Sequence, residues 1–104
     1  MRNYILSDTG EPVIEPDILV WAKWFESATN RVLALSHVGP IRISTVFLGT
    51  DHSFSGTGPA VLYATMTFGE PADSLQRRYI SREAALLGHA DVVAEVAADI
   101  ARLK

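Results

Sequence analysis

The chain has 104 residues, 48% apolar and 20% charged, with 9 basic and 12 acidic side chains, which suits one domain and leaves no room for two. The lack of cysteine excludes disulfide frameworks, thiolate metal sites and cysteine nucleophiles. A formal charge of −3 gives no general attraction to nucleic acid or anionic lipid, no apolar run approaches the ~20 residues of a membrane span, and Met1-Arg2-Asn3-Tyr4 opens no signal-peptide pattern, so a soluble cytoplasmic protein is expected.

Gly and Pro clusters cut the chain into its elements. Tyr4-Ile5-Leu6 reads as a short strand ended by a turn at Asp8-Thr9-Gly10, pairing with Val13-Ile14 as a small hairpin. Pro16-Asp17 opens a helix over 17–28, with Asp17 as its cap. Helical spacing gathers Ile18, Trp21, Ala22, Phe25 and Ala28 on one face, expected to be core, with Trp24 at the margin.

Residues 32–37, 41–48 and 61–68 are rich in β-branched and aromatic side chains and bounded by Gly or Pro, which predicts three consecutive strands, the first two joined by the tight turn at Gly39-Pro40. Alternation puts Ile41, Ile43 and Phe47, and in the third strand Leu62, Met66 and Phe68, on the apolar face, with Ser44, Thr65 and Thr67 on the other. Ser81 caps a second helix running to about 102, whose stripe Ala85, His89, Val92, Val93, Val96, Ile100 and Leu103 faces the sheet; Gly88 is a place where so long a helix can bend. Ala90, Ala94, Ala97 and Ala101 form a separate stripe, which suits either helix propensity alone or contact with another helix. The expected architecture is a single α+β domain, 1–104, of two layers: a three- to four-stranded, mainly antiparallel sheet with both helices on one face, in the order ββαβββα or βαβββα.

The most unusual stretch is Gly49 to Pro59, where Asp51-His52 stands at a strand end before a Gly/Ser loop containing Phe54 and Ser55. Asp51 orienting His52 as a general base is one reading; Asp51 capping the turn and His52 bonding locally is the simpler one. The loop leads into a strand and lacks Gly-Lys-Ser/Thr and Gly-x-Ser-x-Gly, which excludes a phosphate loop and a hydrolase elbow. His89 within the apolar stripe is expected either to bond a buried polar partner or to join Asp51, His52, Arg78, Tyr79 and Arg82 in a polar pocket at one end of the sheet, with Arg78 and Tyr79 on the approach to the second helix. Such a pocket suits a small anionic or nucleotide-like ligand. His37, His52 and His89 have no metal-ligand spacing, so neither metal nor cofactor is expected. The basic cluster Arg77, Arg78 and Arg82 is diluted by Glu70, Asp73 and Glu83, so nucleic acid is not an expected partner.

The run Ser44 to His52, STVFLGTDH, with Met1 to Leu6, Gly10 to Val13, Trp21 to Glu26, Thr65-Met66, Phe68-Gly69, Arg78-Tyr79, Ser81 to Ala84 and Gly88-His89, resembles a family of small proteins from tailed phages and prophages. The likeness covers most of the chain and implies a product acting in the bacterial host cytosol, without an activity to transfer. Where the family shows an acid before Thr-Met this chain has Ala64, so any catalytic or metal role of that acid is lost here. The expected function is a non-enzymatic accessory protein that binds a host component as a homodimer; the alternatives are a small-anion binder at the Asp51-His52 end and, third, a hydrolase with His52 as base.

Overall fold

The computed structural model describes residues 2–53, 58–69 and 75–103. Phe54, Ser55, Glu70 and Asp73, named above, lie outside the described residues, as do the chain's two terminal residues. The elements are β1 (Tyr4–Leu6), β2 (Pro12–Ile14), α1 (Ile18–Ser27), β3 (Val32–Val38), β4 (Ile41–Phe47), β5 (Tyr63–Phe68), β6 (Gln76–Tyr79) and α2 (Arg82–Arg102). This is an α+β fold. β1 and β2 form a small antiparallel hairpin, and β3-β4-β5-β6 form an antiparallel sheet in chain order.

Local chemistry starts both helices where expected. The Asp17 carboxylate accepts from the Leu19 and Val20 amides, and the Ser81 hydroxyl accepts from the Ala84 amide, satisfying donors that have no partner inside a helix. β6 was not among the expected strands. Gln76-Arg77-Arg78-Tyr79 has no apolar alternation, yet its backbone completes the edge of β5, with Tyr63 opposite Tyr79 and Thr65 opposite Arg77. Arg78 and Tyr79 are therefore strand residues, and not part of an approach to the helix.

A second difference concerns β5, whose faces are the reverse of the sequence expectation. Pairing of Phe47 with Tyr63, Thr45 with Thr65 and Ile43 with Thr67 turns Tyr63, Thr65 and Thr67 toward α2, where all three are buried. Met66 and Phe68 lie on the open face, Phe68 beneath the Arg42 guanidinium. Burial in this row follows the partners waiting across the interface rather than the polarity of each side chain.

α2 runs without a break across the sheet, about 30 Å at 1.5 Å per residue. Ala85, His89, Val92 and Val96 are buried beneath it as predicted, while Leu103 is exposed. Two apolar clusters result: Tyr4, Leu6, Phe47, Leu62, Tyr63 and Ala85 at one end, and Ile41, Ile43, Val92 and Val96 at the other. Each completely buried Ile or Val contributes about 1.5–3 kcal/mol by leaving water.

α1 packs only part of the face predicted for it, through half-buried Trp21, Phe25 and Ala28. No residue of α1 is buried, and Ile18 and Ala22 are exposed. The helix is held at its back by three aromatics. The Trp21 indole N–H donates to both Tyr4 O (3.1 Å) and Gly49 O (2.9 Å), Phe25 stacks on Trp21, and Trp24 meets Phe47 edge-on. Gly49 is required there: its φ is +78° and a Cβ would come 2.9 Å from the Phe25 ring.

Candidate functional site

The centre of the α2–sheet interface is polar. β4 and β5 bring Thr45 and Thr65 side by side, with their hydroxyls 2.6 Å apart. His89 descends from α2 onto this pair, its Nδ1 2.7 Å from Thr45 Oγ1 and its Nε2 2.8 Å from Ser36 Oγ on β3. A neutral imidazole has one donor and one acceptor nitrogen, and hydroxyls fill either role, so the whole chain of contacts is satisfied in either tautomer. Burial holds the His89 pKa below its ordinary value, because charging the ring there costs hydration. The node separates the two apolar clusters and fixes where α2 stands along the sheet.

The Asp51-His52 corner is a different structure. One Asp51 carboxylate oxygen accepts from the Ser53 and Val61 amides, both at 2.9 Å. These two backbone bonds are the main cause holding the Asp51 carboxyl below its ordinary range, with Arg2 adding to the effect. Main-chain bonds run from the Asp51 amide to Arg2 O and from the His52 amide to Val61 O. The His52 side chain bonds through Nε2 to the Thr50 hydroxyl at 3.0 Å. Asp51 thus locks a loop end, and no Asp51-to-His52 relay is formed.

The remaining three residues diverge. Arg78 is exposed on β6 and bonds Gln76, Tyr79 packs against α2 at Gly88, and Arg82 opens α2. Of the six, Arg82 alone lines two adjoining clefts, of about 240 and 210 Å³, between the β1–β2 turn and the start of α2. Gly10 and Tyr63 line both of them as well. Tyr63 is only 2% exposed; burial raises its pKa, with Glu11 and Glu83 adding to the rise and Arg82 opposing it. No composition or spacing signal points to Tyr63, which reads as an ordinary core aromatic. Asp8, Glu11 and Glu83 share these clefts with Arg82, so the lining is of mixed sign.

Neither described cleft gathers Asp51, His52, Arg78, Tyr79, Arg82 and His89 together. His89 belongs to the middle of the sheet, Asp51 and His52 to the loop after β4, and Arg82 to the cleft beside Tyr63. Among the described residues no group of His, Asp and Glu is placed to hold a metal ion, and no helix is long and apolar enough to cross a membrane.

Outside these sites, apolar side chains stand in solvent on β2 and α1. Val13 and Ile14 of β2 are 46% and 52% exposed, and Ile18, Leu19 and Val20 in the first turn of α1 are 56%, 77% and 48% exposed. Five large apolar side chains within eight positions of sequence thus face solvent. No protein-family model, no curated protein and no solved structure matches the chain.

Proposed function

We propose that the protein is a non-enzymatic binding protein: a phage or prophage accessory product that works as a homodimer in the bacterial cytosol and docks a protein of its host. One observation carries this reading, the outer surface of β2 and α1. From Ile18 to Phe25 every residue but Lys23 is apolar, yet none is buried. The three aromatics at the back hold the helix in place, so its outward residues are not needed for folding. Large apolar side chains left in solvent on an element held in place this way are a usual mark of a protein contact.

The test is capture from host lysate with the wild-type chain and with Leu19→Asp. Leu19 is the most exposed of the apolar residues, so the variant should keep its melting temperature and lose a stoichiometric partner. Absence of such a partner, or equal capture by the variant, overturns the reading.

A second reading, a small anionic ligand, draws on the cleft at Arg82. Its guanidinium makes no ion pair among the described residues, and it stands at a helix start, where anions are favoured. Titration calorimetry with a panel of carboxylates and phosphates should then show binding that Arg82→Ala removes without a change in melting temperature. No binding by any member of the panel overturns this reading.

A further inference from the structure

The two edges of the four-stranded sheet are protected very differently. β6 has four residues, two of them arginines, and Arg77 is clamped by two hydrogen bonds to Glu95 of α2. Short length and charge are the common defences against addition of a foreign strand. β3, at the other edge, has seven residues, VLALSHV, with no Lys, Arg, Asp, Glu or Pro. Among the described residues it pairs with β4 alone. Its one irregularity lies at the Val32 end, so Ala34 to Val38 present a regular free edge. Val32 and Leu35 are 55% and 54% exposed.

α2 continues the same asymmetry in the second layer. The His89–Ser36 bond turns one flank of the helix toward β3, and the Glu95–Arg77 pair turns the opposite flank toward β6. At 100° per residue Val93, Leu86 and Ala97 follow His89 round to the β3 flank, whereas Asp91 falls beside Glu95. The β3 edge is thus uncharged, with Leu86, Val93 and Ala97 beside it on α2 and Arg82 the one charge at the start of that flank, whereas the β6 edge is charged in both layers.

We propose that a second copy of this chain adds to β3, antiparallel, about a two-fold axis at Leu35, giving one continuous eight-stranded sheet. This rests on the homodimer of the functional reading and assigns its interface. A second copy is the occupant that fits: it brings an identical unpaired edge, and with no formal charge on either strand a two-fold axis sets no like charges against each other. An axis perpendicular to the sheet keeps both α2 helices on one face and brings their Leu86 and Val93 flanks toward each other.

The test uses the full chain and the absence of any natural cysteine. Native mass spectrometry and light scattering should give twice the 11.3 kDa chain mass. Leu35→Lys places two ammonium groups at the axis and should weaken the dimer about a hundredfold with the circular dichroism unchanged. Leu35→Cys should form a covalent dimer under mild oxidation, and Leu19→Cys should not. If Leu35→Lys fails to fold, the cysteine pair decides alone. A wild-type chain that stays monomeric at high micromolar concentration overturns the proposal. So does a dimer that Leu19→Asp dissociates, or one that the thiol at position 35 does not cross-link. Loss of host capture in Leu19→Asp with the dimer mass intact bears on partner docking alone, which keeps the two readings separable.

Discussion

The ring of Tyr79 lies directly over the backbone of Gly88, so close that a Cβ on Gly88 would fall inside the ring's van der Waals envelope. Gly88 is thus the gap in α2 that admits β6, and the helix passes through it unbent. Alanine there gains about 1 kcal/mol of helix propensity, but its methyl must displace a packed aromatic. Gly88→Ala is expected to destabilise by about 1–3 kcal/mol net, as overpacking does. The Tyr79 hydroxyl is buried without a hydrogen-bond partner among the described residues, so Tyr79→Phe should leave stability unchanged or raise it. Urea unfolding of the two variants checks both signs.

His89 makes stability depend on pH in a definite window. Burial holds its native-state pKa below the ordinary 6.5, so the unfolded chain binds more protons once the pH falls to that range. The contribution is complete above about 6.5 and is lost as the pH drops from there through the native-state value. Asp51 and Glu95 are also held below their ordinary 3.8 and 4.5, but those act only in more acid solution. Unfolding free energies measured from pH 8 to pH 5 should therefore fall with acid, and His89→Gln should flatten most of that slope. An equal slope in the variant would place the titration elsewhere.

The sequence signals that read correctly were those with a local cause. Asp17 and Ser81 sit where a helix start needs an acceptor, Gly39-Pro40 makes the turn, and the α2 stripe from Ala85 to Val96 follows from helical spacing alone. What failed depended on partners distant in sequence. Thr65 and Thr67 look like solvent-facing residues until Thr45 and the Leu75 amide supply hydrogen bonds to them, Thr45 being bonded in turn to His89. β6 lacks any apolar alternation because its outer edge is guarded by charge and its inner positions hold Arg77 against Glu95. On α1, helical spacing marks Trp21 and Phe25, which pack inward, together with Ile18 and Ala22, which do not, because periodicity gives the direction of an apolar face and not how much of it a neighbour covers. His89 was recognisable as a polar residue in an apolar stripe, whereas the free side of β3 became visible only once strand order was known.

Asp51 and His52 separate a structural corner from a catalytic one. Both bonds to the Asp51 carboxylate come from backbone amides that tie the β4 exit to the segment before β5. Asp51→Ala should therefore lower the melting temperature clearly and speed amide exchange at Ser53 and Val61. Asp51→Asn, which keeps an acceptor oxygen, should do so less. His52→Ala removes one bond to Thr50 and should change little. A reversed order, with His52 the more sensitive of the two, would restore a working role for the imidazole.

Trp21 is the peg that fastens α1 to the rest of the molecule, because its indole N–H is shared by carbonyls of β1 and of the β4 exit. Trp21→Phe keeps the stacking surface for Phe25 and deletes that donor. The Gly49 carbonyl retains the Tyr4 amide, so the loss falls mainly on Tyr4 O, and a cost of about 1–2 kcal/mol is expected. Since no residue of α1 is buried, the damage should remain local. Amide exchange should quicken across α1, β1 and β2 while β4, β5 and the middle of α2 keep their protection, as expected for opening of a peripheral unit. Uniform loss of protection through β4 and α2 would instead make α1 part of the cooperative core, and the exposed residues from Ile18 to Val20 would then need a folding role.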